Sequence, residues 1–286
     1  MFLSQEYNAT QKEGASVQHL LTLFSALLLA SLPLKAELWR FDAGIGAWNS
    51  VAKGTITETL NDSVAVRDNL GTHKEKTAPY LYIMVQHPLA IIPNLRLEYV
   101  GTKSSGTSVD VESLSTTFPF NTMNTTVTGV ESELLLEQYD AILFYSLLDR
   151  YNGVALDLGA DIKYLISSYT VDAAGYEEIN LDEGTGSIIP MLYVRGRADL
   201  PLQGIGVEAD GKFITDGSST VYDIRLKADY TLEFVPLFKP GLELGYRIER
   251  IRVEGDQSDL IAPIISGKTD SDVTFSGVYV GATVRF

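Results

Sequence analysis

The chain reads as an all-β protein, a closed antiparallel transmembrane β-barrel of ten strands preceded by an N-terminal signal peptide. Three observations predict this. The last residues alternate: Phe286, Val284, Ala282, Val280 and Val278 fall on one face, and Arg285, Thr283, Gly281, Tyr279 and Gly277 on the other. Successive strand side chains point to opposite faces, so a greasy face opposite a polar one marks a strand with two different surroundings. The same alternation recurs up the chain, and the connections between its recurrences alternate between short and long, as in barrels of the bacterial outer membrane.

Ten segments carry the pattern. The first, about Leu38 to Trp48, sets Trp39, Phe41, Ala43, Ile45 and Ala47 against Arg40, Asp42, Gly44 and Gly46. The second, Pro79 to Gln86, turns Leu81, Ile83 and Val85 outward. The third, Asn94 to Lys103, sets Leu95, Leu97 and Tyr99 against Arg96 and Glu98. The fourth includes Tyr139, Ala141, Leu143 and Tyr145 against Asp140, Ile142 and Phe144. The fifth sets Val154, Leu156, Leu158, Ala160, Ile162 and Tyr164 against Asp157, Gly159, Asp161 and Lys163. The sixth sets Leu192, Val194, Gly196 and Ala198 against Tyr193, Arg195, Arg197 and Asp199. The seventh opposes Ile205, Val207, Ala209 and Phe213 to Glu208, Asp210 and Lys212. The eighth opposes Tyr222, Ile224, Leu226, Ala228 and Tyr230 to Asp223, Arg225, Lys227 and Asp229. The ninth opposes Leu242, Leu244, Tyr246 and Ile248 to Glu243, Arg247 and Glu249, and the tenth is terminal.

Short connections fall at His87–Pro93, Asp149–Gly153, Pro201–Gly204 and Pro236–Gly241. Long ones fall at 49–78, 104–133, 167–187 and 253–271, with Thr215–Ser219 a short exception on the long side. Short turns then face the periplasm and long loops the exterior, and an even strand count leaves both mature termini in the periplasm. Closure follows because a sheet in lipid cannot leave an edge of unpaired N–H and C=O groups. A soluble β-sandwich is the competing architecture. Aromatics near the strand ends weigh against it: Tyr145, Tyr230 and Phe286 at one end, Tyr164, Phe213 and Tyr222 at the other, like two interfacial girdles.

The 286 residues are 45% hydrophobic and include no cysteine, so no disulfide framework supports the chain. The apolar run Leu20–Leu34 is interrupted by Thr22, Ser25, Ser31 and Pro33 and has the length of a signal-peptide core. Cleavage after Ala36 predicts residues 1–36 as the signal and Glu37 onward as the barrel. Met1–Ser16 carries Glu6 and Glu13 beside Lys12, unlike the basic start of a signal, which places the true start downstream, at Val17.

The formal net charge of −15 argues against nucleic acid as a partner. The charges assigned to the lumen nearly balance: Arg40, Arg96, Lys163, Arg195, Arg197, Lys212, Arg225, Lys227, Arg247 and Arg285 against Asp42, Glu98, Asp140, Asp157, Asp161, Asp199, Glu208, Asp210, Asp223, Asp229, Glu243 and Glu249. Unpaired buried charge is costly, so a paired network is expected, with Arg195, Arg197, Asp157 and Asp161 satisfying one another. Barrels of about eight strands are filled by their own side chains and about sixteen leave a channel, so ten predict a mostly plugged lumen. A narrow path for small solutes or ions is the alternative.

The excess acid falls in the long loops: Glu177, Glu178, Asp182, Glu183, Asp256, Asp259, Asp270 and Asp272. Its spacing matches no calcium motif, and a solvated surface is the favoured reading. Arg250 and Arg252 continue the outward face of the ninth strand toward the long loops, where their guanidiniums are placed to contact lipopolysaccharide phosphates. Phe286 is the C-terminal signal read by the barrel-assembly machinery.

The residues predict no enzyme, no metal and no cofactor. His19 lies in the signal, His87 in a short turn, and only His73 in a long loop, beside Asp68 and Glu75. The omptin proteases also use ten strands with carboxylates and a histidine at the outer rim, but no second element here pairs acids with His73. Acyl-transfer barrels need a serine and a histidine held together, and strands four to ten carry no histidine.

Three segments resemble a family of uncharacterised outer-membrane β-barrels of Gram-negative bacteria: His87-Pro88-Leu89 through Pro93-Asn94-Leu95-Arg96-Leu97-Glu98-Tyr99, Leu147-Leu148-Asp149 through Leu156-Asp157-Leu158-Gly159, and Leu192-Tyr193 through Ala198-Asp199-Leu200-Pro201. The resemblance implies fold and envelope location for about Glu37–Phe286 and brings no functional residues.

Overall fold

A computed structural model describes residues 39–286 apart from 61–63, 70–75, 90, 107–108, 114–130, 152, 173–178, 181–185, 218, 233–237 and 254–267. The predicted signal at 1–36, His19 and His73 lie outside the described residues.

Period-two alternation builds ten wall strands: β1 (Arg40–Leu60), β3 (Lys76–Gln86), β4 (Asn94–Gly106), β6 (Glu131–Tyr151), β7 (Val154–Asp172), β9 (Ser187–Asp199), β10 (Ile205–Thr215), β11 (Thr220–Thr231), β12 (Lys239–Val253) and β13 (Lys268–Arg285). Three short strands, β2 (Val64–Asn69), β5 (Val109–Ser113) and β8 (Ile179–Asn180), add to the wall at one end. Each wall strand pairs antiparallel with its neighbours, and β13 pairs with β1 from Asp42↔Arg285 to Thr59↔Lys268, which closes the sheet.

The strands run further toward the long-loop end than the sequence predicts. The first ends at Leu60 rather than Trp48, and the fourth spans Glu131–Tyr151. The reason is a change of surroundings. Ser50 and Ala52 continue the inward alternation, but the outward partners become Asn49 and Lys53, so the greasy-outside signature disappears while the pairing continues. At the other end, β6 and β7 run almost to their turn with register shifts between Ser146 and Tyr151. There the alternation slips, and Leu147 and Leu148 are both exposed.

Two interior layers follow. Nearer the turns the inward positions are mostly charged, with a small buried cluster of Met84, Ile142, Phe144 and Tyr193 among them. Nearer the long loops they are apolar: Trp48, Val100, Leu136, Leu165, Ile189, Val221, Ile251, Val253, Val273 and Phe275 form one buried cluster. Outside, the pattern inverts. Leu192, Leu226 and Leu242 are at least 60% exposed along the charged layer, whereas Lys53, Glu137, Arg250, Arg252 and Asp272 face out along the apolar one. Apolar surface of that extent facing outward marks contact with lipid.

Candidate functional site

The feature with the most chemistry is the charged interior layer. Strand alternation brings it together: each wall strand except β3 and β13 contributes at least two inward charged or amide side chains to it. Arg195 on β9 forks onto Asp157 of β7 (2.5 Å) and Glu208 of β10 (2.7 Å). Arg197 reaches Asp229 (2.5 Å) and Asp199 (2.9 Å), and Arg285 joins Asp42 and Asp229 at 3.0 Å each. Lys227 meets Glu243 at 3.0 Å and Glu208 at 3.3 Å.

The pairs also cross the lumen. Glu98 on β4 is ion-paired with Arg96 (2.6 Å) and accepts from Lys212 of β10 (2.6 Å) and Arg225 of β11 (2.7 Å). Arg225 also holds Asp210 at 2.9 Å. Lys212 reaches Asp140 of β6, which Lys163 approaches at 3.1 Å, and Lys163 meets Glu249 of β12 at 3.2 Å. Gln138 on β6 donates to Glu249 at 2.7 Å, and these strands stand on opposite sides of the ring. Arg247 forks onto Asp223 at 2.8–2.9 Å and lies 4.7 Å from the Trp48 ring centre, where the charged layer meets the apolar one. Apart from Asp199 and Arg285 near the mouth these side chains are buried, with Asp157, Lys163 and Glu249 at 0% exposure. Charge at that depth is tolerated because each partner offsets the other's desolvation, though such pairs add little net stability.

The expected quartet of Arg195, Arg197, Asp157 and Asp161 divides differently. Asp161 is not part of it: neither of its carboxylate oxygens accepts a hydrogen bond among the described residues. Arg197 turns to Asp229 and Asp199 instead. Register decides this, because Asp157 stands opposite Arg195 across the β7–β9 ladder while Asp161 stands opposite Met191. Arg40 is half-buried near the turn-side mouth, and Asp199 is exposed there.

Besides Gln138, two tyrosines of the network are invisible in the charge pattern. Tyr82 lies between Arg96 (4.7 Å) and Lys227 (4.9 Å) over its ring, and its hydroxyl reaches Asp42 and Glu243 at 3.3 Å. Tyr80 donates to Glu243 and packs edge-on against Tyr279 at 5.2 Å. A different signal points to them. Gly44 and Gly46 stand opposite Tyr82 and Tyr80 in the register, and a Cβ at Gly44 would overlap the Tyr82 ring. Inward glycines mark the space that the neighbouring tyrosines fill.

At the turn side a basin of about 330 Å³ opens, lined by Asp199, Pro201, Gln203, Thr231, Lys239 and the Arg197 and Arg285 guanidiniums. Its two arginines belong to the Arg197–Asp229–Arg285–Asp42 chain of ion pairs.

Outside the belt, Arg250 forks onto Asp272 at 2.7–2.8 Å. Asp272, read from sequence as loop acid, is a residue of β13, and Arg250's hydrogen bonds hold its carboxyl below the ordinary range. Arg252 faces outward and is exposed. Phe286 donates its N–H to the Phe41 carbonyl at 2.9 Å. His87 is a turn-building residue: its Nδ1 accepts from Leu89 N–H (3.2 Å) and its Nε2 contacts the Pro93 carbonyl (3.2 Å).

No protein-family model matches this chain, and no curated protein matches it. Among solved structures it is similar to the outer-membrane protease OmpT from Escherichia coli, at TM-score 0.52 and 11% identity over 90% of this chain and 99% of that one. It also aligns with the translocator domain of the autotransporter NalP from Neisseria meningitidis (TM-score 0.35, 12% identity, 96% and 98% covered) and with Neisserial surface protein A (0.28, 11%, 86% and 95%). The likeness to the protease shows a shared fold: a closed ten-stranded antiparallel barrel of the outer-membrane type. At such identity it says nothing about activity.

Proposed function

We propose that this chain is an outer-membrane barrel with a closed lumen and a surface role, structural or ligand-binding, carried by its long-loop side rather than by catalysis. One observation carries the reading: Gln138 and Glu249, on opposite walls, touch directly inside the barrel. A lumen that its own side chains bridge is filled. The apolar layer around Trp48 and Phe275 adds a second seal.

In this reading the short turns and both mature termini face the periplasm, and the long loops face outward. Entry of β1 and exit of β13 at the same end support it. Phe286, at the end of the closing strand, is the group offered to the assembly machinery. Arg250 and Arg252 face outward above the belt, at the height of lipopolysaccharide phosphates, with Asp272 competing for Arg250.

The test is single-channel recording of the refolded chain from Glu37 onward in planar bilayers. Silence from a correctly folded barrel is expected. Discrete steps that change with Arg195→Gln and Arg197→Gln would instead establish a narrow channel, the second reading. The turn-side basin favours it, since Arg197 and Arg285 line it.

A further inference from the structure

The turn between β3 and β4 is unusually greasy for a connection. Leu89, Ile91 and Ile92 are 53%, 90% and 54% exposed, and Leu147 and Leu148 of the neighbouring β6–β7 turn are 59% and 43% exposed. A water-facing turn is normally built from Gly, Asn, Asp and Ser. The segment's polar groups are instead taken up from within. Pro88 and Pro93 carry no N–H. His87 N–H donates to Asn94 Oδ1 (2.9 Å), Leu89 N–H to His87 Nδ1 (3.2 Å), and His87 Nε2 contacts the Pro93 carbonyl. The Tyr145 hydroxyl donates to the Ile91 carbonyl at 2.9 Å.

That last bond also places the turn. Tyr145 is an outward residue of β6, 45% exposed, in the lipid-facing row with Leu143. To meet it, the Ile91 backbone leans onto the outer face of the wall rather than over the barrel mouth. The exposed leucines and isoleucines of the turn are therefore continuous with the belt. Irregular backbone is excluded from lipid unless its N–H and C=O groups are satisfied internally, and these side chains satisfy several of them.

We propose that Leu89, Ile91 and Ile92 of this turn form a membrane-embedded anchor, with Ile91 and Ile92 seated among the acyl chains at the turn-side boundary of the bilayer. The inference rests on the reading of the chain as a membrane barrel. It assigns Tyr145 the role of capping the turn's carbonyl in place of water, and His87 and Asn94 the role of keeping the turn dry.

The chain has no cysteine, so single substitutions accept a unique spin label. Ile91→Cys, Leu226→Cys and Arg252→Cys are labelled in the full barrel refolded into dioleoylphosphatidylcholine vesicles. Collision with oxygen, which concentrates in lipid, is compared with collision with a water-soluble nickel chelate. The Ile91 label is expected to favour oxygen as the Leu226 label does, with the Arg252 label favouring nickel. An Ile91 label that behaves like Arg252 while Leu226 remains lipid-exposed overturns the anchor alone and leaves the turn as a surface for a soluble partner. A Leu226 label that favours nickel overturns the anchor and the membrane barrel together. Tyr145→Phe combined with Ile91→Cys is expected to raise nickel accessibility at least twofold by freeing the Ile91 carbonyl, and an unchanged ratio removes Tyr145 from the proposal.

Discussion

The turn-side and loop-side halves of this barrel use one alternation with opposite chemistry. Beside Leu226 and Leu242 the wall is greasy outside and charged inside; beside Arg250 and Asp272 it is charged outside and greasy inside. Nothing in the backbone pairing marks the boundary, since β1, β12 and β13 cross it in continuous register. What changes is the medium. In lipid the outer face must be apolar, and the inner face can hold charge only where charge is paired. In water the outer face is free to be charged, and the inner face packs as in a soluble barrel. Trp48 sits on the junction, its ring against Arg247 and its Nε1 donating to the Gly277 carbonyl at 3.2 Å.

The two halves fail in different ways, and the largest expected effect is in the charged one. Glu98→Leu leaves Arg96, Arg225 and Lys212 short of one counter-charge. Breaking a buried pair costs about 3–5 kcal/mol, so the urea midpoint of the refolded chain in lipid vesicles is expected to fall markedly. An unchanged midpoint would mean the pairs are replaceable by water and the lumen is not closed.

Next is the apolar half. Phe275→Ala, at a site 1% exposed, removes a side chain whose loss costs about 3 kcal/mol by transfer and cavity terms. Its conductance in planar bilayers is expected to remain nil, because the charged layer beneath still crosses the lumen. Current through this variant would assign the seal to the apolar layer instead.

Gly44→Ala tests the packing that joins β1 to Tyr82. Overpacking of this kind costs about 1–3 kcal/mol, and Tyr82→Leu in the same chain is expected to recover part of the loss in the urea midpoint. No recovery would place the strain elsewhere.

The smallest effect concerns the exposed Arg250–Asp272 pair. Because Arg250 holds the Asp272 carboxyl below its ordinary value, the pair's contribution is complete above the ordinary carboxylate range. It is lost as pH falls through the depressed value. With the side chains 37% and 42% exposed, solvent screens the pair, and Asp272→Asn is expected to change neutral-pH stability by less than about 1 kcal/mol. A larger change would indicate that this face is covered.

Much of this division is legible in the amino-acid sequence. The alternation in segments such as Val154–Tyr164 and Tyr222–Tyr230 is so regular that strand type, facing and barrel closure follow from period and medium alone. The inward assignment of Asp157, Lys163, Arg225 and Glu249 follows from the same phase. Strand ends at the long-loop side do not, because at Asn49 and Lys53 the outward face turns polar and the sign of the pattern reverses. The apolar layer is hidden for the same reason: Leu165 and Ile251 share the phase of the charges below them.

Which residues face inward is written in the chain alone, because facing depends only on parity along each strand. Who pairs with whom is settled by the folded barrel. Glu98 finds Lys212 and Arg225 across the lumen, Asp161 is left beside Met191, and Tyr145 reaches back to Ile91. Partnership in a barrel depends on register and closure, which set distances between residues from tens to more than a hundred positions apart, and no local pattern encodes those distances.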